Sequence, residues 1–121
     1  MSDEAKGQAL EELGPKNWAE LTEAPLAVMM LGKSDCAACK TWQGELEEWL
    51  ASGQAPEDVR FGKLLIAQPG LVDFKRANEW LREVDVLPFN LIYQNGESKK
   101  KFAGSGLSRL TNRLDNVRKD S

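Results

Sequence analysis

The sequence predicts an α/β fold with a central mixed sheet of four or five strands flanked by helices. Two observations carry this prediction: apolar runs typical of buried strands alternate with stretches of helical periodicity, and a hairpin signal followed by a helix closes the chain. The chain has 121 residues, 41% of them apolar and 29% charged, which suits one globular core. We therefore treat residues 1–121 as a single domain, with residues 1–7 and 118–121 expected to fray.

The first half of the chain alternates strands and helices. Residues 8–13 are ambiguous between an edge strand and a helical turn, and residues 18–23 predict a short helix. The run 26–31 is apolar throughout, which predicts a central strand buried on both faces. Residues 40–50 carry apolar side chains three or four positions apart, as a buried helix face requires. Residues 59–67 predict a second central strand.

The second half adds antiparallel strands. Residues 71–84 have helical periodicity, and residues 86–93 predict a strand with a proline near its start, where proline is tolerated. Asn95-Gly96 is the strongest short hairpin signal in the chain and pairs this strand with residues 98–103. A final helix is predicted from apolar residues that share one face: Leu107, Leu110, Leu114 and Val117.

Charge and composition exclude several classes of function. The net charge of −3 argues against a nucleic-acid surface, which needs a basic face. No apolar run approaches a membrane span, and the acidic start lacks the pattern of a signal peptide, so we expect a cytoplasmic protein. The chain has no histidine, so neither a Cys–His pair nor a Ser–His–Asp triad can form.

Both cysteines of the chain, Cys36 and Cys39, lie where the predicted central strand gives way to a helix. The first amides of a helix lack backbone partners, and the helix dipole places partial positive charge there. A thiolate at this point is stabilised and becomes a usable nucleophile at neutral pH. The second cysteine, one turn further on, is close enough to close a disulfide, so the pattern favours a redox site.

Two other interpretations of the cysteine pair stay open. The thiols could be inert and partly buried, or the cysteine pairs of two chains could bridge a metal. A zinc site within one chain would need two carboxylates beside the cysteines, because no histidine is present, and that ligand set is unusual. We therefore expect no metal.

Three separated features resemble the thioredoxin fold and together span about residues 17–117. They are Cys36-Ala-Ala-Cys39-Lys40 after a strand, Val86-Leu87-Pro88 where that family has a cis-proline, and the closing run Tyr93–Gly96, Phe102–Gly104, Leu107 and Leu110. The resemblance implies a thiol–disulfide oxidoreductase that reduces protein disulfides. Cys36 would be the nucleophile and Cys39 the resolving cysteine, with no cofactor beyond their redox-active disulfide.

The resemblance also implies partners and a rim that receives them. Pro88 would be cis and would turn the backbone of Leu87 toward an extended target segment, which pairs with it like an added strand. Asp35 and Ala37 would complete the substrate-binding rim. The partners implied are disulfide-containing proteins and an electron donor, either a thioredoxin reductase-like protein or another thiol, and the protein would act as a monomer.

The chain also departs from the family pattern. Asp35 stands where the family usually has tryptophan, and its carboxylate would oppose a thiolate at Cys36 unless it serves only as a helix N-cap. Met30 stands where typical members bury an aspartate that assists the resolving cysteine. Lys63 aligns with the lysine that pairs with that aspartate, and we expect it to extend its charged end to solvent.

These departures keep two alternative functions open. The fold could present its cysteine face to a protein partner as a binding or assembly module. It could also serve as a redox sensor in which Cys36 oxidises first and Cys39 caps it as a disulfide.

Overall fold

The computed structural model describes residues 8–120, so the expected fraying of residues 1–7 lies outside the described part of the chain. Ten elements follow one another in these residues. They are β1 (Glu11–Leu13), α1 (Trp18–Thr22), β2 (Ala27–Gly32), α2 (Ala37–Ala51), β3 (Arg60–Leu65), α3 (Val72–Ala77), a 3₁₀ helix (Glu79–Glu83), β4 (Phe89–Gln94), β5 (Glu97–Ala103) and α4 (Leu107–Lys119).

The strands form one mixed sheet in the order β1-β3-β2-β4-β5. Strands β1, β3 and β2 are mutually parallel, whereas β4 runs antiparallel to β2 and β5 antiparallel to β4. The α/β prediction with a mixed sheet is therefore confirmed. The ambiguous segment at residues 8–13 contains an edge strand and no helical turn.

Strand β2 lies at the centre of the sheet, and every one of its residues is buried. Because side chains alternate along a strand, Val28 and Met30 point to the core beneath α2 and α4, while Met29 and Leu31 point to the core beneath α1 and α3. The apolar run predicted a strand buried on both faces, and this is confirmed. Among residues 8–120, no helix has both the length and the apolar character needed to cross a bilayer.

The segment 71–84 is not one helix, contrary to the sequence prediction. Asn78, at φ −134° and ψ 65°, separates α3 from the 3₁₀ helix. Its side-chain Nδ2 donates to the carbonyl oxygen of Phe74 at 2.8 Å, in place of the Asn78 backbone amide that a continuous helix would direct there. The buried asparagine thus competes with the helix for the acceptor of Phe74, and the helix ends.

The C-terminal hairpin and helix form where the sequence pattern predicts them. Asn95 and Gly96 have φ values of 52° and 91°, the left-handed pair that a two-residue hairpin turn requires. The final helix extends to Lys119. Near its end, the guanidinium of Arg118 makes two hydrogen bonds to the carboxylate of Asp58, at 2.8 and 2.9 Å. The fraying of residues 118–121 stays a prediction.

Candidate active site

The cysteine motif lies at the carboxyl end of β2, where the sheet passes the chain to α2. Cys36 is the N-cap of α2, and its Sγ accepts a hydrogen bond of 3.1 Å from the amide of Cys39. The sulfur therefore lies against the unpaired amides and the positive end of the helix dipole, as the sequence predicted. Asp35 is exposed in the preceding turn, so the alternative in which it caps the helix is wrong.

Cys36 and Cys39 are joined by a disulfide bond. The two sulfurs differ in accessibility, because Cys36 is half-buried whereas Cys39 is 3% exposed. The neighbouring Ala37 is exposed. A partner can therefore approach Cys36 across Asp35 and Ala37, while Cys39 stays behind it.

The segment before β4 completes the surface around Cys36. The Leu87–Pro88 peptide bond is cis, as the resemblance implied. The carbonyl oxygen of Leu87 lies 4.0 Å from Cys36 Sγ. The carbonyl of Pro88 accepts a 2.8 Å hydrogen bond from the amide of Gly104, which anchors this segment to the end of β5. The structure thus brings Cys36, Leu87 and Pro88 together, although they are far apart in sequence.

A cavity of about 310 Å³ lies behind the cysteines, and Cys39, Met30 and Lys63 are among the residues that line it. Met30 is 1% exposed, so the position that would hold a carboxylate in typical thioredoxins is filled here by an apolar side chain. Gly32 allows close packing, because a Cβ atom on it would lie 3.2 Å from both Cβ and Sγ of Cys39. No carboxylate lines this cavity among the described residues, and Gly32 packs directly against Cys39.

Three lysines line this cavity, and Lys63 is the one that lies on the sheet, beside Met30; the others are Lys33 and Lys40. The Nζ of Lys63 lies 3.1 Å from Oε2 of Glu12 and 3.3 Å from Oε1 of Gln43. The Lys63 side chain is only 12% exposed, whereas that of its partner Glu12 is 82% exposed, so a mostly buried stem carries the charged end to a carboxylate at the surface. The ammonium group of Lys63 therefore lies at the pocket behind Cys39 and pairs with Glu12, since position 30 offers it no carboxylate.

Sequence reasoning missed Glu12 and Gln43. The signals were weak but present: the parallel register places Glu12 and Met30 beside Lys63 on the two neighbouring strands. Gln43 follows Cys39 by four positions, which places the two side chains on one face of α2.

The sheet topology and the position of the cysteine pair together define the fold class of this protein. The strand order, the disulfide at the start of the helix after the central strand, and the proline segment beside it make this chain a thioredoxin-fold protein with a Cys-Ala-Ala-Cys site. The resemblance stated from the sequence is confirmed at this level.

Solved structures agree with this assignment. The short form of thioredoxin f from spinach chloroplast has a TM-score of 0.73 and 18% identity, over 91% of this chain and 94% of that chain. Thioredoxin f2 from Chlamydomonas reinhardtii has a TM-score of 0.70 and 20% identity, over 90% and 96% of the two chains. Mitochondrial thioredoxin 3 from Saccharomyces cerevisiae has a TM-score of 0.67 and 21% identity, over 88% and 94%.

A further neighbour is a thioredoxin f2 solved in complex with ferredoxin:thioredoxin reductase, at a TM-score of 0.71 and 16% identity over 91% of this chain and 96% of that chain. No protein-family model matches the chain, and no curated protein matches it either. At these identities the likeness shows the fold, and the activity has to be argued from the site.

Proposed function

We propose that this protein is a thiol–disulfide oxidoreductase that reduces protein disulfides through a Cys36–Cys39 cycle. One observation carries the proposal: an accessible sulfur at the start of α2 is bonded to a buried sulfur behind it, with a backbone carbonyl 4.0 Å from the accessible one. The helix amides and dipole stabilise negative charge on Cys36 after reduction. Cys39 is placed to complete the exchange.

The cycle balances in atoms and electrons. The Cys36 thiolate attacks one sulfur of the target disulfide, forming a mixed disulfide and releasing the other target sulfur as a thiolate, which takes up a proton. The Cys39 thiolate then attacks Cys36 Sγ, forms the Cys36–Cys39 disulfide and releases the second target thiolate. Two electrons pass from the protein dithiol to the target, and the two protons of the dithiol balance those gained by the target thiols.

The surface beside Cys36 supplies a place for the target backbone. The Leu87 carbonyl oxygen lies 4.0 Å from the attacking sulfur, and an extended target segment can pair with this backbone as an added strand. Asp35 and Ala37, both exposed and next to Cys36 in the chain, are proposed to contact the target as well. Because Asp35 is a carboxylate, it opposes the thiolate of Cys36 and offsets part of the helix contribution.

Regeneration of the dithiol requires an external electron donor, either a dithiol protein or a small thiol. A reductase-like partner is supported by the complex of a neighbouring thioredoxin f2 with ferredoxin:thioredoxin reductase. A dithiol that must be kept reduced suits a reducing compartment such as the cytoplasm. The structurally similar proteins also include chloroplast and mitochondrial thioredoxins. The expected working form is a monomer that needs no bound cofactor.

Substitution of each cysteine tests the proposal. A disulfide-bonded peptide is incubated with the pre-reduced protein, and released thiols are followed with time. Cys36→Ser is expected to reduce the peptide no faster than buffer, whereas Cys39→Ser is expected to accumulate a mixed disulfide that mass spectrometry detects at the peptide's added mass. Reduction by Cys36→Ser at the wild-type rate would show that the proposed nucleophile is wrong.

A second candidate function is a binding module in which the cysteine face holds a protein partner and turnover is incidental. The apolar Met30 behind Cys39 favours this candidate, because no carboxylate is there to help the resolving step. The equilibrium reduction potential separates the two. A value near about −230 to −270 mV supports the reductase, whereas failure to form the disulfide at any glutathione ratio leaves the binding module.

A further inference from the structure

A second concave surface lies beside the cysteine motif, on the α3 side of the sheet. It is a cavity of about 560 Å³ between the end of β3 and the α3–3₁₀ segment, and we call it the basic cleft. Four cationic side chains and a single carboxylate, that of Glu79, line it. The cations are Lys33, Lys75, Arg76 and Arg82.

The residues that line the basic cleft carry a net positive charge, four cations against one carboxylate. All four cationic residues are exposed, and none forms an ion pair with a carboxylate among residues 8–120. The chain as a whole has a net charge of −3, so this positive surface stands against an acidic background. A cleft lined by one sign of charge raises the local concentration of ligands of the opposite sign.

The floor of the basic cleft is apolar. Ile66 and Leu81 line it, together with Val72, which is 61% exposed. Val72 and Val86 are the large apolar side chains most exposed among the described residues. An aliphatic floor inside a cationic rim matches a peptide that carries an apolar side chain between carboxylates, since each part meets its complement.

The basic cleft is continuous with the active site. Lys33 lines both this cleft and the cavity behind Cys39, and its carbonyl accepts a hydrogen bond from the Cys36 amide at 3.3 Å. The amide of Ile66 on the cleft floor donates to the carbonyl of Gly32 at 3.0 Å. A segment bound in the cleft therefore contacts the turn that carries Cys36.

We propose that the basic cleft docks an acidic segment of the target protein, with an aliphatic side chain on the cleft floor, while the target disulfide meets Cys36. This inference rests on the proposed reductase function and names its substrate class. A protein segment fits better than a free small anion, because the cations are exposed and spread around a large cleft whose floor is apolar. Phosphate-sized anions need several donors that converge on one point.

Two disulfide-bonded peptides of equal length test the inference. One carries a tail of aspartates around a leucine, and the other carries asparagines in their place. At about 0.01 M ionic strength we expect the acidic peptide to have a kcat/KM about tenfold higher, and the preference to disappear near 1 M salt, where the screening length is about 3 Å. The double variant Lys75→Glu with Arg82→Glu should remove the preference, while keeping the reduction of the neutral peptide.

A matched variant controls for net charge. Lys99→Glu with Lys119→Glu makes the same change in charge on exposed residues of β5 and α4 that do not line the basic cleft, and it should keep the preference. Equal kcat/KM values for both peptides in the wild-type protein would overturn the inference and leave the reductase intact. Another result would also overturn the inference: the wild-type protein reduces both peptides with equal kcat/KM and forms a dimer in solution that the Lys75→Glu/Arg82→Glu variant does not form. The cleft would then bind a second copy of this chain and not an acidic target segment.

Binding is also measured without chemistry. A linear acidic peptide that lacks cysteine should shift the backbone amide resonances of Lys33, Val72 and Leu81 saturably, and the asparagine version should not. If the linear acidic peptide binds but neither disulfide peptide is reduced, the basic cleft is an acidic-peptide site and the proposed reductase function is wrong. Failure of the docking inference is therefore distinguishable from failure of the proposed function. Free phosphate that displaces the acidic peptide at equal ionic strength, where sodium chloride does not, would assign the cleft to a small anion and overturn the inference.

Discussion

The indole Nε1 of Trp42 donates a 2.9 Å hydrogen bond to the Oδ1 of Asn90, and both side chains are fully buried. Trp42 lies on α2 three residues after Cys39, whereas Asn90 lies on β4 two residues after Pro88. The bond therefore joins the helix that carries Cys39 to the strand that follows the cis Leu87–Pro88 peptide. Asn90 also donates to the carbonyl oxygen of Gly104 at 2.8 Å, which ties in the end of β5.

Replacement of Asn90 by leucine should cost about 3 kcal/mol of the free energy of unfolding. The substitution keeps the number and branching of the side-chain heavy atoms but leaves the Trp42 indole and the Gly104 carbonyl unpaired, and each buried unpaired group costs about 1–3 kcal/mol. Urea unfolding of the oxidised protein measures the change. Asn112→Leu on the exposed face of α4 is the control and should shift stability by less than about 0.5 kcal/mol. Equal effects of the two substitutions would show that the buried bond is not needed.

Gly32→Ala should make the Cys36–Cys39 disulfide easier to reduce. The added methyl group would lie 3.2 Å from both Cβ and Sγ of Cys39. Crowding acts mainly on the disulfide state, because the reduced Cys39 side chain is released from Cys36 and can turn away. We expect the reduction potential to rise by about 15–30 mV, since 30 mV corresponds to about 1.4 kcal/mol for this two-electron couple. Glutathione titration with thiol trapping measures it.

Gly44→Ala is the matched control for Gly32→Ala. Gly44 lies on the exposed face of α2, and a Cβ atom there meets nothing within 4 Å. Alanine should stabilise the helix by about 0.5–1 kcal/mol and leave the reduction potential unchanged. A potential that moves equally in both variants would mean that glycine flexibility, and not contact with Cys39, sets the effect.

Ionisation of the buried Tyr93 phenol should lower the free energy of unfolding in strong alkali. Burial raises its pKa from 10.0 to about 12. Between those pH values the native state keeps a phenol proton that the unfolded chain has lost, so stability is fully present below about pH 10 and falls as the pH rises toward 12. The full loss, reached above pH 12, amounts to about 3 kcal/mol, since a rise of about two units corresponds to about 1.4 kcal/mol per unit.

Tyrosinate absorbance measures this titration directly, because Tyr93 is the single tyrosine of the chain. Unfolding by urea at several alkaline pH values, compared between wild type and Tyr93→Phe, isolates its share from the titration of lysines. A wild-type phenol that titrates near its ordinary pKa of about 10 would contradict the prediction.

The parts of the fold that the sequence predicted well are those fixed by local patterns. The apolar run of β2 and the hairpin at Asn95-Gly96 each follow from rules that act within a few residues. The start of α2 at the cysteines is of the same kind, because strand and helix periodicities meet there. The long-range contact between Cys36 and Leu87 came from the family resemblance, since no local pattern relates residues so far apart.

The parts that the sequence did not predict depend on tertiary contacts. The break at Asn78 needs a side chain that reaches back to the Phe74 carbonyl, and periodicity continues across it without a signal. The contacts of Lys63 with Glu12 and Gln43 depend on which strands are neighbours and on where α2 packs. Topology has to be known before such contacts can be found.

Lys63→Met should slow the resolving step. Lys63 lines the cavity behind Cys39 together with Lys33 and Lys40. Lys33 and Lys40 are exposed, whereas the Lys63 side chain is only 12% exposed, so its positive charge is less screened and stabilises a thiolate more strongly. We expect the mixed disulfide to resolve about three- to tenfold more slowly, because a partly screened charge pair contributes about 1 kcal/mol. Stopped-flow release of glutathione from a Cys36–glutathione adduct measures this rate, and Lys119→Met on exposed α4 is the control.

Glu12→Gln should have the opposite effect on the rate of the resolving step, because it removes the carboxylate 3.1 Å from Lys63 Nζ. The ammonium charge is then less compensated, so the thiolate of Cys39 gains stabilisation and resolution should accelerate. The gain should be only about twofold, because the Glu12 side chain is 82% exposed and solvent already screens it. Lys63→Arg, which keeps a positive charge at this position, should resolve the mixed disulfide at close to the wild-type rate. A Lys63→Arg protein as slow as Lys63→Met would indicate that Lys63 acts through packing, whereas a restored rate would identify its charge as the cause.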